Sequence, residues 1–133
     1  MLFRSVGISQ ALDWCYSGRV FGAEEALSGG LIRSIHAPAD LLPAARAFAK
    51  QLTAESAPVS IALTRQMMWR MLSAAHPMDA HKVDSRAIWM RGQSGDAKEG
   101  VMSFLERRAA AYTDSVADDF PDFGDWIDDP GYA

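Results

Sequence analysis

The adjacent carboxylates Glu24 and Glu25 are the first residues whose types invite a reaction, since positioned carboxylates can give and take protons at a reacting carbon. They are neighbours in a helical segment, however, and consecutive helical residues face different directions. A first turn also accounts for both, because the helix dipole favours negative charge there. His76 and His81 could ligate a metal by type, but a spacing of five misses the four that puts two ligands on one helical face, and no motif supplies a third. No metal site is expected. Cys15, the lone cysteine, cannot form an internal disulfide, and its place in an apolar helical run reads as a buried thiol in a reducing, cytoplasmic compartment rather than a nucleophile. Seven aspartates fall between residues 114 and 129, yet they lack the alternating oxygens, central glycine and closing glutamate of a calcium loop. They read as a solvated tail.

The elements that would position these groups are mostly helical. Ser9 can cap a helix to about Ser17 with Leu12, Cys15 and Tyr16 on one face, and Gly18 supplies the residue tolerant of left-handed geometry that ends it. Glu24 and Glu25 open a short second helix that closes on Gly29 and Gly30. Leu31 to His36 reads as a strand between Gly30 and Pro38. A single strand must pair outside this chain, pair with another copy, or lie as an extended connector, because unpaired buried backbone groups are costly. Asp40 can cap a helix to about Thr53 with Leu41, Ala45, Phe48 and Leu52 inward. Pro58 suits the first turn of a fourth helix, to about Ser73, whose inner stripe is Val59, Leu63, Met67 and Met71. Asp79 can cap a fifth to about Arg91 through Val83, Ala87, Ile88 and Met90. Ser94 can cap a sixth, from Gly95 to about Ala110, with Ala97, Val101, Phe104 and Leu105 inward. From Thr113 the periodicity fails, and a mobile tail with aromatic anchors at Phe120, Phe123 and Trp126 is expected. The division is therefore a helical region over 1–112 and an acidic tail over 113–133.

Size and charge narrow the function classes. A chain of 133 residues that is 49% hydrophobic can build one core without a second domain. No apolar run approaches the roughly 20 residues of a membrane span. The net charge of −4 conceals an asymmetry, since no lysine or arginine follows Arg108 and removal of the seven tail aspartates turns the balance to +3. So weak a basic bias would suit an anionic ligand but argues against nucleic acid as a partner. Met67, Met68, Met71 and Trp69 form a stripe that is core filler in a complete protein and a sticky face if uncovered. Self-association is expected in the second case.

Two ordered patches carry a family resemblance. Gly18-Arg19-Val20-Phe21-Gly22-Ala23-Glu24-Glu25-Ala26-Leu27-Ser28-Gly29-Gly30-Leu31-Ile32 resembles the segment T-G-R-x-F-x-A-x-E-A-x-x-x-G-L-V of the enoyl-CoA hydratase/isomerase (crotonase) family. Ser94-Gly95-Asp96-Ala97-Lys98-Glu99-Gly100-Val101-Met102-Ser103-Phe104-Leu105-Glu106-Arg107-Arg108 resembles that family's S-x-D-x-x-E-G-x-x-A-F-x-E-K-R. Between them Pro58 to Arg65 is similar to P-x-A-x-x-x-x-K, with arginine where lysine is usual. The resemblance implies a mainly α fold: the C-terminal helical, trimer-forming region of a crotonase-like protein, with one short strand and without the N-terminal spiral core.

In the family's hydratases two glutamates handle water and the substrate proton while two backbone N–H groups hold the thioester oxyanion. Those groups precede the matched segment, so the resemblance assigns no catalytic residue to this chain and the chain alone is expected to be inactive. It assigns one ligand contact. Arg107 stands where a family lysine reaches the CoA phosphates, often those of a neighbouring subunit, and arginine keeps that charge while adding bidentate geometry. An exposed basic pair at a helix end is the plain alternative. An aromatic residue usual near Ile88 is missing, and Trp89 beside it points elsewhere on the helix. The implied function is that of an acyl-CoA enzyme, with 2-enoyl-CoA hydration as the reaction of the intact protein, no cofactor, and a homo-oligomeric assembly. A helical self-association or docking module without catalysis is the alternative.

Overall fold

A computed structural model describes residues 2–122. Its regular elements are helices: α1 (Leu2–Val6), α2 (Ile8–Ser17), α3 (Ala23–Ser28), α4 (Pro38–Thr53), α5 (Pro58–Met71), α6 (Pro77–Arg91) and α7 (Gly95–Glu106). Contacts divide the chain into two compact units, Met1–Ala49 and Lys50–Ala133.

The first unit is built around one aromatic side chain. Ala11 and Trp14 on α2 and Ala26 on α3 are buried, and Trp14 stacks on Phe21 with ring centroids 4.3 Å apart. Its indole N–H donates to Glu25 Oε1 at 2.8 Å, which meets the one polar demand a buried tryptophan makes. Gly29 lies against the same ring, where an added Cβ would stand 2.7 Å from the Trp14 ring edge. Only glycine fits that approach. α2 is capped on Gly7, two residues before the expected Ser9, and ends as expected on Gly18 in the left-handed conformation. Its buried stripe is not Leu12, Cys15 and Tyr16, all of which are exposed. Ala11 and Trp14 hold that face, and Cys15, one position round the helix, faces out. The expectation of a buried thiol is thereby corrected.

The strand expected over Leu31–His36 is also corrected, since the described residues contain no strand and this segment is an irregular connector. The Leu31 N–H returns to the Ala26 carbonyl at 2.8 Å, closing the end of α3 rather than opening a ladder. No second strand stands within the unit to complete one. Arg33 instead lies over the Phe48 ring, 4.0 Å from its centroid. α4 begins at Pro38, whose fixed φ suits a first turn, so Asp40 occupies that turn and is not the cap. The expected inner stripe of α4 is apolar by sequence but buries no residue.

The second unit packs α5 against α6. Val59 and Leu63 on α5 and Ala87 on α6 form its buried centre, flanked by Met67, Met90 and Phe120. Full burial of Val59 and Leu63 contributes about 1.5–3 kcal/mol each before entropy is counted. α6 is capped by His76, whose Nδ1 accepts from the Met78 N–H at 3.1 Å, so Asp79 lies in the first turn instead of at the cap. Ser94 caps α7 as its sequence predicts, accepting from the Ala97 N–H at 3.1 Å. The expected inner face of α7 is corrected: Val101, Phe104 and Leu105 are exposed, while Asp96 and Ser103 are buried. The reason is the segment that follows α7, which returns along its polar face. Of the expected aromatic anchors, Phe120 meets the core, and Phe123 and Trp126 lie outside the described residues.

Candidate functional site

The end of α7 gathers the groups that could receive an anionic ligand. Arg107 closes the helix at φ 54°, ψ 41° and is the one non-glycine among the described residues with positive φ. That conformation costs an L-residue about 1–2 kcal/mol, so neighbouring interactions must hold it. The Arg107 N–H reaches the Phe104 carbonyl at 3.3 Å, and the Arg108 N–H returns to the Ser103 carbonyl at 3.0 Å. Orphan carbonyls of the last turn are satisfied in this way.

The two arginines then diverge. Arg108 is engaged by Glu99, with Nη2 donating to Oε2 at 2.8 Å and Nη1 to Oε1, and its Nε donates to Glu106 at 2.7 Å. Glu99 also accepts the Ala111 N–H at 2.7 Å. The Arg108 guanidinium, followed by the Ala111 N–H, holds the Glu99 carboxyl at about 2, well below its usual 4.5. Arg107 is exposed, and its side chain has no hydrogen bond or ion pair among the described residues. One cation of the pair is neutralised by carboxylates of α7, and the other has no such partner among the described residues.

A second carboxylate continues the fixation one turn earlier on the same helix. Asp96 is 2% exposed, and its Oδ1 accepts the N–H groups of Thr113 at 2.8 Å and Asp114 at 3.1 Å. Asp114 in turn pairs with Arg91 of α6, and Arg91 donates to the Asp119 carbonyl at 3.4 Å. Residues 108–119 are thus bonded to α7 and α6 through Glu99, Asp96 and Arg91. Sequence reading missed this set, since nothing in the spacing of Asp114 and Arg91 announces a pair 23 residues apart.

Grooves lined by described residues open in this unit. One of about 780 Å³ is lined by Ile88, Ala97, Val101, Phe104 and Leu105 of the two helices, with Tyr112 from the returning segment. Phe104, three residues before Arg107, is 82% exposed. Another, of about 760 Å³, runs along α5 past Ile61, Arg65, Met68, Trp69 and Leu72. It carries part of the methionine-rich stripe.

Glu24 and Glu25 belong to the first unit. Glu25 is committed to Arg19, with Nη1 donating to Oε2 at 2.8 Å, and to the Trp14 indole. Arg19 first, then the indole, hold its carboxyl at about 2, far from the range of a proton-exchanging acid. Glu24 is exposed and has no such partner among the described residues. No group of three or more His, Cys, Asp or Glu among the described residues could hold a metal ion, and no described helix is long and apolar enough to cross a membrane.

Comparison with known proteins covers most of the chain. The family model described as enoyl-CoA hydratase/isomerase matches residues 1–115. An enoyl-CoA hydratase of Alternaria alternata is 34% identical over 114 residues, 85% of this chain and 38% of that protein. A putative enoyl-CoA hydratase of Thermus thermophilus is 35% identical over 109 residues, 81% of this chain and 42% of its own length. Among solved structures, a probable enoyl-CoA hydratase/isomerase from Mycobacterium abscessus superposes with a TM-score of 0.74 at 25% identity, over 86% of this chain and 44% of that one. A putative family protein from Hyphomonas neptunium gives 0.66 at 31% identity, over 84% and 42%. The chain therefore spans about two-fifths of the length of the relatives it matches.

Proposed function

The chain belongs to the enoyl-CoA hydratase/isomerase family, as its C-terminal helical region, and from that membership we propose that it serves a protein acting on acyl-CoA thioesters. Hydration of a 2-enoyl-CoA is the reaction we assign to the intact protein, in keeping with the hydratase names of the relatives. Within it Arg107 receives a CoA phosphate. The observation that carries this reading is the asymmetry at the end of α7, where Arg108 is paired with Glu99 and Glu106 while Arg107 is exposed. An exposed guanidinium with no carboxylate partner among the described residues is suited to bidentate phosphate contact. The exposed Phe104 ring one turn earlier supplies an aromatic face on which a purine can stack. The cation would serve a neighbouring copy in a trimer or pair of trimers.

Two measurements test the reading. Titration of the chain with CoA should show binding that weakens with salt and is reduced about tenfold or more by Arg107→Ala, the order of one lost charge-assisted hydrogen bond. Equal affinity in the variant removes Arg107 from the site. The chain alone should leave crotonyl-CoA unhydrated, because the family resemblance puts the glutamates and oxyanion donors ahead of the matched segment. Turnover that survives repurification would overturn that assignment.

A second reading is favoured by the apolar groove on α5, where Met68, Trp69 and Leu72 are exposed. In that reading the chain is a helical module that associates with its own copies or with a longer relative. A monomer in sedimentation at high concentration, with no excess binding of an apolar dye, would refute it.

A further inference from the structure

Resting on the reading of Arg107 as the phosphate contact, we propose that Glu99 is the residue that positions it, by binding both Arg108 and the Ala111 N–H so that the turn at 107 stays left-handed and its guanidinium points outward. The geometry carries the inference. Glu99 sits two turns before Arg107 on α7, and its two oxygens take hold of the chain at residues 108 and 111, immediately beyond the turn. A chain fixed at Ser103 and Phe104 on one side of Arg107 and at Glu99 on the other leaves the intervening φ of 54° little freedom to relax to the right-handed region. Asp96 repeats the device one turn earlier, on the N–H groups of Thr113 and Asp114. The same pairing separates the roles of the two arginines. Arg108 offers its donors to Glu99 and Glu106, so Arg107 is the cation presented to a ligand. Nothing in the spacing of Glu99 and Arg108, nine residues apart, points to this.

The test uses CoA as the probe and opposite changes of charge as the discriminator. Glu99→Gln makes the helix end more positive and Arg108→Gln makes it more negative, so a purely electrostatic role moves CoA affinity up in the first variant and down in the second. A positioning role predicts that both weaken CoA binding, each about tenfold, the order of one charge-assisted hydrogen bond lost to misalignment. Adding Arg107→Ala to either variant should then weaken binding no further, since both act through the same side chain. Far-UV circular dichroism recorded at the titration temperature, below each variant's melting midpoint, shows that the helices survive, and Glu99→Asp, which keeps the charge on a shorter arm, should restore part of the affinity. Opposite shifts in the two glutamine variants, or no shift in Glu99→Gln while Arg107→Ala loses binding, overturn the positioning role and leave Arg107 as the contact. A parent chain that binds CoA no better than Arg107→Ala overturns the Arg107 reading, and this proposal with it.

Discussion

Asp96→Ala should release the segment after α7 more than any other single change to a polar residue. Its Oδ1 accepts two backbone N–H groups, from Thr113 at 2.8 Å and Asp114 at 3.1 Å, in a side chain that is 2% exposed. A buried donor deprived of its acceptor loses about 1–3 kcal/mol, which for two donors gives about 2–6 kcal/mol. Thr113 is an exposed residue and Asp114 only half-buried, so water can replace part of the loss, and about 2–4 kcal/mol is the working range. Asp96→Asn keeps an oxygen for both donors and loses the charge, which halves the strength of such bonds and costs about 1 kcal/mol. Amide hydrogen exchange at residues 113 and 114 reads these values directly. The expected acceleration is about 30- to 1000-fold for alanine and about fivefold for asparagine. Exchange in Asp96→Ala within about threefold of the parent, an effect of at most roughly 0.7 kcal/mol, would refute the claim that this carboxylate holds the segment.

Leu63→Ala truncates the largest side chain at the buried centre of the second unit and should lower its stability by about 2–5 kcal/mol, read as a fall in the urea midpoint. On acidification, Glu25 and Glu99 each have a folded-state carboxyl lowered from 4.5 to about 2, so the stabilisation from their arginine partners is complete above about pH 4.5 and is lost as the pH falls towards 2. Far-UV ellipticity should decline across that window, and a signal unchanged down to pH 2 would count against both ion pairs. Cys15 is exposed and should react with a thiol reagent in the folded chain at a rate close to that of a free cysteine; protection lifted only by denaturant would contradict its placement.

What sequence could deliver here was punctuation, because a helix end is decided by one or two residues. Gly18, Pro58 and Ser94 each mark an end by conformation or side chain, and the structure uses all three. Burial was less legible, since an apolar stripe states what a face wants and not whether a partner is present. Leu41, Ala45, Phe48 and Leu52 keep helical spacing on α4, which nevertheless buries nothing. Val101, Phe104 and Leu105 do the same on α7 while Asp96 and Ser103 take the inside. The strand at Leu31–His36 failed for the same reason, as β-branched residues between breakers need a neighbour before they become a ladder. At the candidate site Arg107 was reachable through the family pattern. Glu99, Asp96 and Arg91 were hidden because their partners are carried to them by a reversal of the chain after Glu106 that composition does not foretell.

Few large apolar side chains are buried among the described residues, Trp14, Val59 and Leu63 chief among them, and that scarcity sets how the chain responds to temperature. The heat-capacity increment of unfolding follows the apolar surface newly exposed to water, usually about 12–15 cal/mol/K per residue. A chain in which many of the leucines, methionines and tryptophans already meet solvent has little left to expose, so its increment should fall well below that value. Its free-energy curve is then shallow, with neither a pronounced optimum nor an accessible cold transition. Calorimetry of such a chain should give a low, broad endotherm, which would sharpen once another protein surface covers α5.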